Sequence, residues 1–172
     1  MTAFRPIQAA EAPETRFRAM FALHYPAIYG YAARRVGRDE AGDAAAEIFT
    51  VAWRKLRSVP GEPDTLPWLY GVARKVVANH ERSRRRRERL GAKAAGQPVR
   101  SAPPADAGAG VLAALDSLRD EDREILLLAA WEGLGPADLA TVLACSPNAA
   151  AIRLHRARRR LESAIDATGG DP

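Results

Sequence analysis

Residues 135–158 read GPADLATVLACSPNAAAIRLHRAR, and the fold is decided there. Gly135-Pro136 opens a short helical pattern through Leu143, with Leu139, Ala140, Val142 and Leu143 apolar. Ser146-Pro147 opens a second helix. Serine accepts from the orphan backbone donors, and proline takes the first helical position, where its missing donor costs nothing. That helix turns Ile152, Leu154, Ala157, Leu161 and Ile165 inward and sets Arg153, Arg156 and Arg160 along another side. Two short helices joined by Ala144-Cys145-Ser146, with Ala140 and Ala144 small where the helices cross, match a helix-turn-helix. The competing reading is a plain helical hairpin with a basic outer face.

In a helix-turn-helix the second helix enters the major groove N-terminus first, so bases are read near its start and phosphates further along. That assigns Asn148, Ala149, Ile152, Arg153 and Arg156 to the groove, with His155, Arg158 and Arg159 nearer the backbone. Asn148 suits adenine, Arg153 or Arg156 suits guanine, and Ala149 or Ile152 suits a thymine methyl. Cys145 reads as a small buried residue rather than a reactive thiol.

Upstream, helical spacing continues and alternating strand patterns are scarce. One short helix covers Val111 to Leu118. Another starts near Asp120 or Glu121 and carries Ile125, Leu126, Leu128, Ala129 and Trp131 before Gly133. Residues 91–110, rich in Ala, Gly and Pro, read as a flexible linker. Before it, a first helix runs from Glu14 to Val36, with Phe17, Met20, Phe21, His24, Ile28 and Tyr31 on one stripe. Pro26 should bend or split it, and Gly37 ends it. A second helix, Asp39 to Arg57, turns Ile48, Val51, Ala52 and Leu56 inward, while Phe49 and Trp53 form another apolar ridge. Two apolar faces mean either burial between two neighbours or docking of one face, edged by Asp43 and Glu47, onto another protein. After a Pro60-Gly61-Pro63 loop, Asp64 or Thr65 caps a third helix with Leu69, Val72, Ala73, Val76, Val77 and His80 apolar-facing. The architecture read from sequence is therefore all-α: two helical domains, 14–90 and 111–166, joined by a flexible linker, the second a helix-turn-helix.

The charge is unevenly placed. The 172 residues carry a net +5, yet residues 74–93 alone hold +7 and residues 150–166 hold +3, which leaves the remainder at −5. Two basic blocks on an acidic chain make a footprint for a polyanion; a solvated helix end is the plainer alternative. A single cysteine excludes an internal disulfide and any cysteine-cluster metal site. No stretch has the ~18–20 consecutive apolar residues of a membrane span, and the N-terminus lacks a signal-peptide core. A cytoplasmic protein without membrane insertion is expected. His24, His80 and His155 lie on different helices with no metal-ligand spacing, and no Gly-rich phosphate loop occurs, so an enzyme is not expected.

At this point the chain resembles an extracytoplasmic-function sigma factor, a subunit that directs bacterial RNA polymerase to promoters. The family's second conserved region is similar to residues 17–89, including DAAAEIF at 43–49, Trp53 and LPWLYGVAR at 66–74 with the basic run after it. Its fourth region is similar to residues 115–161. The resemblance implies that the face of Asp43, Glu47, Phe49 and Trp53 binds the clamp helices of the polymerase largest subunit, with the polymerase flap as a further contact. It implies that the helix from Trp68 through Arg82, with the loop before it, recognises the −10 element as separated strand. Trp68, Arg74, Lys75, Asn79, His80, Arg82, Arg85 and Arg86 are the candidates; an aromatic and amide-bearing basic surface suits an unpaired strand. The fourth region would read the −35 element as duplex, and an anti-sigma factor is implied as a partner. Lys75, Asn79 and Ala149–Ala151 depart from the family's usual residues, so the promoter sequence is not implied. An autonomous helix-turn-helix regulator, binding operator DNA without polymerase, is the alternative function.

Overall fold

The structure, a computed structural model, describes residues 12–91 and 109–169. Among them are seven α-helices and one 3₁₀ turn: α1 (Pro13–Val36), α2 (Arg38–Arg54), the turn Leu56–Ser58, α3 (Thr65–Gly91), α4 (Ala109–Ser117), α5 (Asp120–Trp131), α6 (Pro136–Leu143) and α7 (Pro147–Gly169). Most of the expected 91–110 linker lies outside the described residues.

Helices α1, α2 and α3 form the first module. Ile28, Tyr31, Ile48 and Leu69 are fully buried at its centre, each contributing about 1.5–3 kcal/mol of apolar transfer. α1 runs unbroken through Pro26. Both Pro26 and Ala22, whose carbonyl loses its partner, are exposed, so water can take the orphaned acceptor. α2 ends three residues earlier than the sequence predicts and tightens into the 3₁₀ turn. There the Arg16 guanidinium donates to the carbonyls of Leu56 (3.1 Å) and Val59 (2.5 Å), a cation on a helix C-terminus. Thr65 does not cap α3: its buried hydroxyl donates back to the Pro60 carbonyl at 2.9 Å.

Helices α4 to α7 form the second module around Ile125, Leu128, Leu139 and Leu154. Arg123 closes the C-terminus of α4 by donating to the carbonyls of Leu115 and Asp116 at 2.8 and 2.7 Å. Ser146 caps α7 as expected, its Oγ accepting from the Ala149 amide at 3.2 Å. Ala144 differs from expectation. It does not pack at the helix crossing but is exposed in the left-handed region, φ +51° and ψ +51°, closing α6 while the Cys145 amide donates to the Ala140 carbonyl at 3.0 Å. Ala140 does take the expected buried place.

The modules are docked rather than slack. α3 lies across α6 so closely that a Cβ at Gly71 would meet the Val142 carbonyl oxygen at 3.6 Å. Around this crossing runs a polar seam. Glu132, with 3% of its side chain exposed, accepts twice from Arg34 (2.7 and 2.6 Å) and once from the Tyr70 hydroxyl (3.2 Å), with Arg35 at 3.5 Å. Glu124 accepts from the Tyr31 hydroxyl at 2.9 Å and from Arg35 Nε at 3.2 Å. The Arg35 guanidinium also lies 3.6 Å over the Tyr31 ring. Burial first, then the neighbouring carboxylates, push the Tyr31 and Tyr70 hydroxyls well above the ordinary tyrosine range. Burial alone would lower the Arg35 pKa, but Tyr31, Glu124 and Glu132 outweigh it and the net shift is upward.

Candidate nucleic-acid interface

Helix α3 is amphipathic up to His80 and then continues into a segment whose exposed positions, among the described residues, are Arg82, Ser83, Arg85, Arg86, Arg87 and Arg89. Its 3.6-residue period sorts the eight candidates into three groups. Trp68, Lys75, Asn79, Arg82 and Arg86 share one outward stripe, of which Trp68 is half-buried and the others exposed. An Arg82 guanidinium N–H donates to Asn79 Oδ1, which ties two members of the stripe together. Arg74 and Arg85 instead line a groove of about 640 Å³ between the modules, where Asp116, Asp120, Glu121 and Glu124 of the second module also stand. His80 turns the other way. Its Nε2 sits 3.0 Å from Glu47 and its Nδ1 3.7 Å from Glu40, both on α2.

That last contact joins two sets of residues which the sequence kept apart, since Glu47 was expected on the protein-docking face. On that face Asp43 and Glu47 are exposed, and Trp53 is 42% exposed. Phe49 is buried, at 2% exposure, beneath aromatic rings from α1. Phe21 packs against it at a tilt of 60°, 4.7 Å between centroids, and Phe17 meets Trp53 edge-on at 5.1 Å. Phe17 and Phe21, expected on the inward stripe of α1, therefore extend the aromatic surface around Trp53, with Phe21 38% exposed. Their i, i+4 spacing with Tyr25 and Tyr29 was visible in the sequence as a second stripe on α1.

In the second module, α7 buries Ala150, Leu154 and Ala157. Asn148, Ile152, His155, Arg156 and Arg159 project together on the opposite side, all exposed, with Ala149 and Arg153 flanking them. Ile152, expected to face inward, is 43% exposed. Arg158 stands apart from this stripe, at an apolar cleft of about 450 Å³ between α4, α5 and α7. Arg160 is held by Asp122, which accepts two bonds from one of its nitrogens at 2.9 and 2.6 Å. Its role is to fasten α7 to α5. Asp122 carried no signal in the sequence beyond its place in an acidic first turn.

Among the described residues, no cluster of His, Cys, Asp and Glu is suited to hold a metal ion, and no helix is long and apolar enough to cross a membrane. The geometry offers two exposed basic stripes, one interrupted by a half-buried Trp and an Asn, the other led by an Asn at a helix start.

Comparison with known proteins bears on both modules. The family described as Sigma-70 region 2 matches residues 20–87, and the family described as Sigma-70, region 4 matches residues 109–161; together they span well over half of the chain. The ECF RNA polymerase sigma factor SigL of Mycobacterium tuberculosis is 28% identical over 168 residues, covering 94% of this chain and 95% of that protein. RNA polymerase sigma factor CarQ of Myxococcus xanthus is 27% identical, covering 87% and 88%, and the RNA polymerase sigma-H factor of Pseudomonas aeruginosa is 29% identical, covering 74% of each. Among solved structures, CnrH in complex with the cytosolic domain of CnrY aligns with a TM-score of 0.61 at 25% identity over 90% of each chain. The sigma factor RpoE in complex with the anti-sigma factor NepR from Bartonella quintana aligns with a TM-score of 0.64 at 23% identity over 88% of this chain and 97% of that one, a likeness of fold.

Proposed function

Since the chain belongs to the sigma-70 family, as an extracytoplasmic-function RNA polymerase sigma factor that directs transcription initiation, we propose that it reads promoters with two separate surfaces. The α3 stripe of Trp68, Lys75, Asn79, Arg82 and Arg86 takes the melted −10 strand: the indole offers a stacking face, the amide hydrogen-bonds a base edge and the cations neutralise phosphates. Arg74 and Arg85 join it once the groove between the modules widens, and His80 supports the stripe from the α2 side. The α7 stripe of Asn148, Ile152 and Arg156, flanked by Ala149 and Arg153, takes the −35 duplex in its major groove, with His155, Arg158 and Arg159 toward phosphates. The carrying observation is that one chain exposes two basic stripes on two differently built modules.

Core polymerase docks on Asp43, Glu47 and Trp53 through the clamp helices of its largest subunit, with Phe49 supporting that face from beneath and the flap as a further contact. The domain roles follow: 14–90 for docking and the −10 element, 91–110 as linker, 111–166 for the −35 element. An anti-sigma partner that covers the docking face or clamps the modules is supported by the RpoE relative, whose structure includes NepR. The work needs no catalytic step of its own, and its place is the cytoplasm, beside the polymerase. The autonomous-regulator alternative is not favoured, because relatives matching across both modules are named polymerase sigma factors.

Run-off transcription from genomic fragments tests the proposal. Core polymerase with this chain should give discrete starts absent with core alone, and footprints on duplex promoter should require core. Footprints of full strength without polymerase would overturn it.

A further inference from the structure

The loop before α3 is held in a manner its exposure does not explain. Gly61, Glu62, Pro63 and Asp64 are all exposed, and such a connection ordinarily needs only to span a gap. Yet its inner side is fixed by contacts from residues some forty positions earlier. Arg16 holds its entry by the carbonyls of Leu56 and Val59. His24, only 6% exposed, presents Nε2 to Glu62 Oε1 at 2.7 Å at its apex. The Thr65 hydroxyl holds the exit by the Pro60 carbonyl, and the Asp64 amide closes a turn onto the Gly61 carbonyl at 3.0 Å.

Burying a histidine to grip a half-exposed carboxylate costs desolvation, and the pair is redundant for covering the core, which Ile28 and Tyr31 already fill. What the grip does accomplish is to fix the outer surface of an exposed loop. That surface stands just before Trp68, at the N-terminal end of the stripe assigned to the unpaired strand.

We infer that His24 and Arg16 are positioning residues for promoter reading: from the back of the first module they hold residues 59–64 as a rigid wall against which a base of the melted −10 strand is selected. Neither side chain touches nucleic acid. Both act through the loop, and the inference rests on the assignment of the unpaired strand to α3.

The test uses full-length chain with core polymerase on a genomic fragment giving a single start, beside copies with single substitutions in the −10 or the −35 element. The readout is the ratio of run-off product, native over substituted. With His24→Leu, the −10 ratio should fall about tenfold, the size expected for losing one charge-assisted hydrogen bond, while the −35 ratio holds. His24→Gln can still donate an amide N–H to Glu62 and should restore the −10 ratio; Arg16→Met should lower it. A merely structural role would lower both ratios or total product alike. An unchanged −10 ratio in His24→Leu, a parallel fall in both ratios, or a His24→Gln indistinguishable from His24→Leu overturns the inference. Should the wild-type chain itself show no −10 discrimination while keeping −35 discrimination, the α3 assignment fails, and this inference with it.

Discussion

Neutralising Glu132 should undock the two modules without unfolding either. Its carboxylate is almost wholly enclosed and takes two bonds from Arg34 and one from Tyr70, with Arg35 alongside. Breaking a buried pair by removing one partner costs about 3–5 kcal/mol, because the surviving charge stays uncompensated. Here the low end applies, since Arg35 keeps Glu124 and the Arg34 side chain is already 36% exposed. A loss of about 3 kcal/mol lowers the docked-to-undocked ratio roughly 150-fold at 1.4 kcal/mol per decade. Undocking rehydrates both arginines, so the penalty cannot propagate into either core; separation caps it. Small-angle scattering of Glu132→Gln should therefore show a larger radius of gyration at unchanged helical content, with amide exchange faster around Val142 and unchanged at Ile28 and Ile48. Adding Arg34→Met should recover part of the docking by removing the stranded cation. Identical scattering and exchange for wild type and Glu132→Gln would refute the idea that this seam holds the modules together.

Four other outcomes follow from the geometry. Ala144→Gly should raise the thermal midpoint of the second module: relief of a left-handed alanine, about 1–2 kcal/mol, exceeds the added flexibility of glycine, about 0.5–1 kcal/mol, and a lowered midpoint would contradict it. Stability should fall in alkali. Tyr31 binds its proton more tightly in the folded chain than in the unfolded one, burial being the largest cause, so its contribution is complete below about pH 10 and is lost above that, by up to about 1.4 kcal/mol per pH unit; Tyr31→Phe should flatten the alkaline fall of the thermal midpoint. In fluorescence anisotropy of holoenzyme on labelled forked promoter DNA, Lys75→Ala and Arg82→Ala should each reduce the slope of log affinity against log salt by about 0.7. Arg160→Ala should leave that slope alone and instead lower stability, because Asp122 already occupies it; a reduced slope would place Arg160 on DNA.

Helix order and type were legible because each helix carries its own punctuation: Pro136, Ser146-Pro147 and Gly37 act within a few residues of chain. The recognition helix was legible for the same reason, its caps and arginines being local. Ile152 was read inward only because an apolar side chain at helical spacing looks like core whichever way it turns. The seam of Tyr31, Arg34, Arg35, Tyr70, Glu124 and Glu132 could not be read, since it joins residues 62 to 98 positions apart and no local pattern pairs them. Phe49 and Phe21 traded expected places for a related reason. Both α1 and α2 have two apolar sides, and only their mutual rotation decides which ring lies underneath.

The crossing at Gly71 makes that position a graded spacer. Ordinary van der Waals distance separates a first carbon there from the Val142 carbonyl, so alanine fits, whereas valine, leucine and tryptophan would jack α6 off α3 by successive steps. Such a series would tune how open the molecule is without substituting a single charged side chain, stretching the ion pairs that span the crossing step by step.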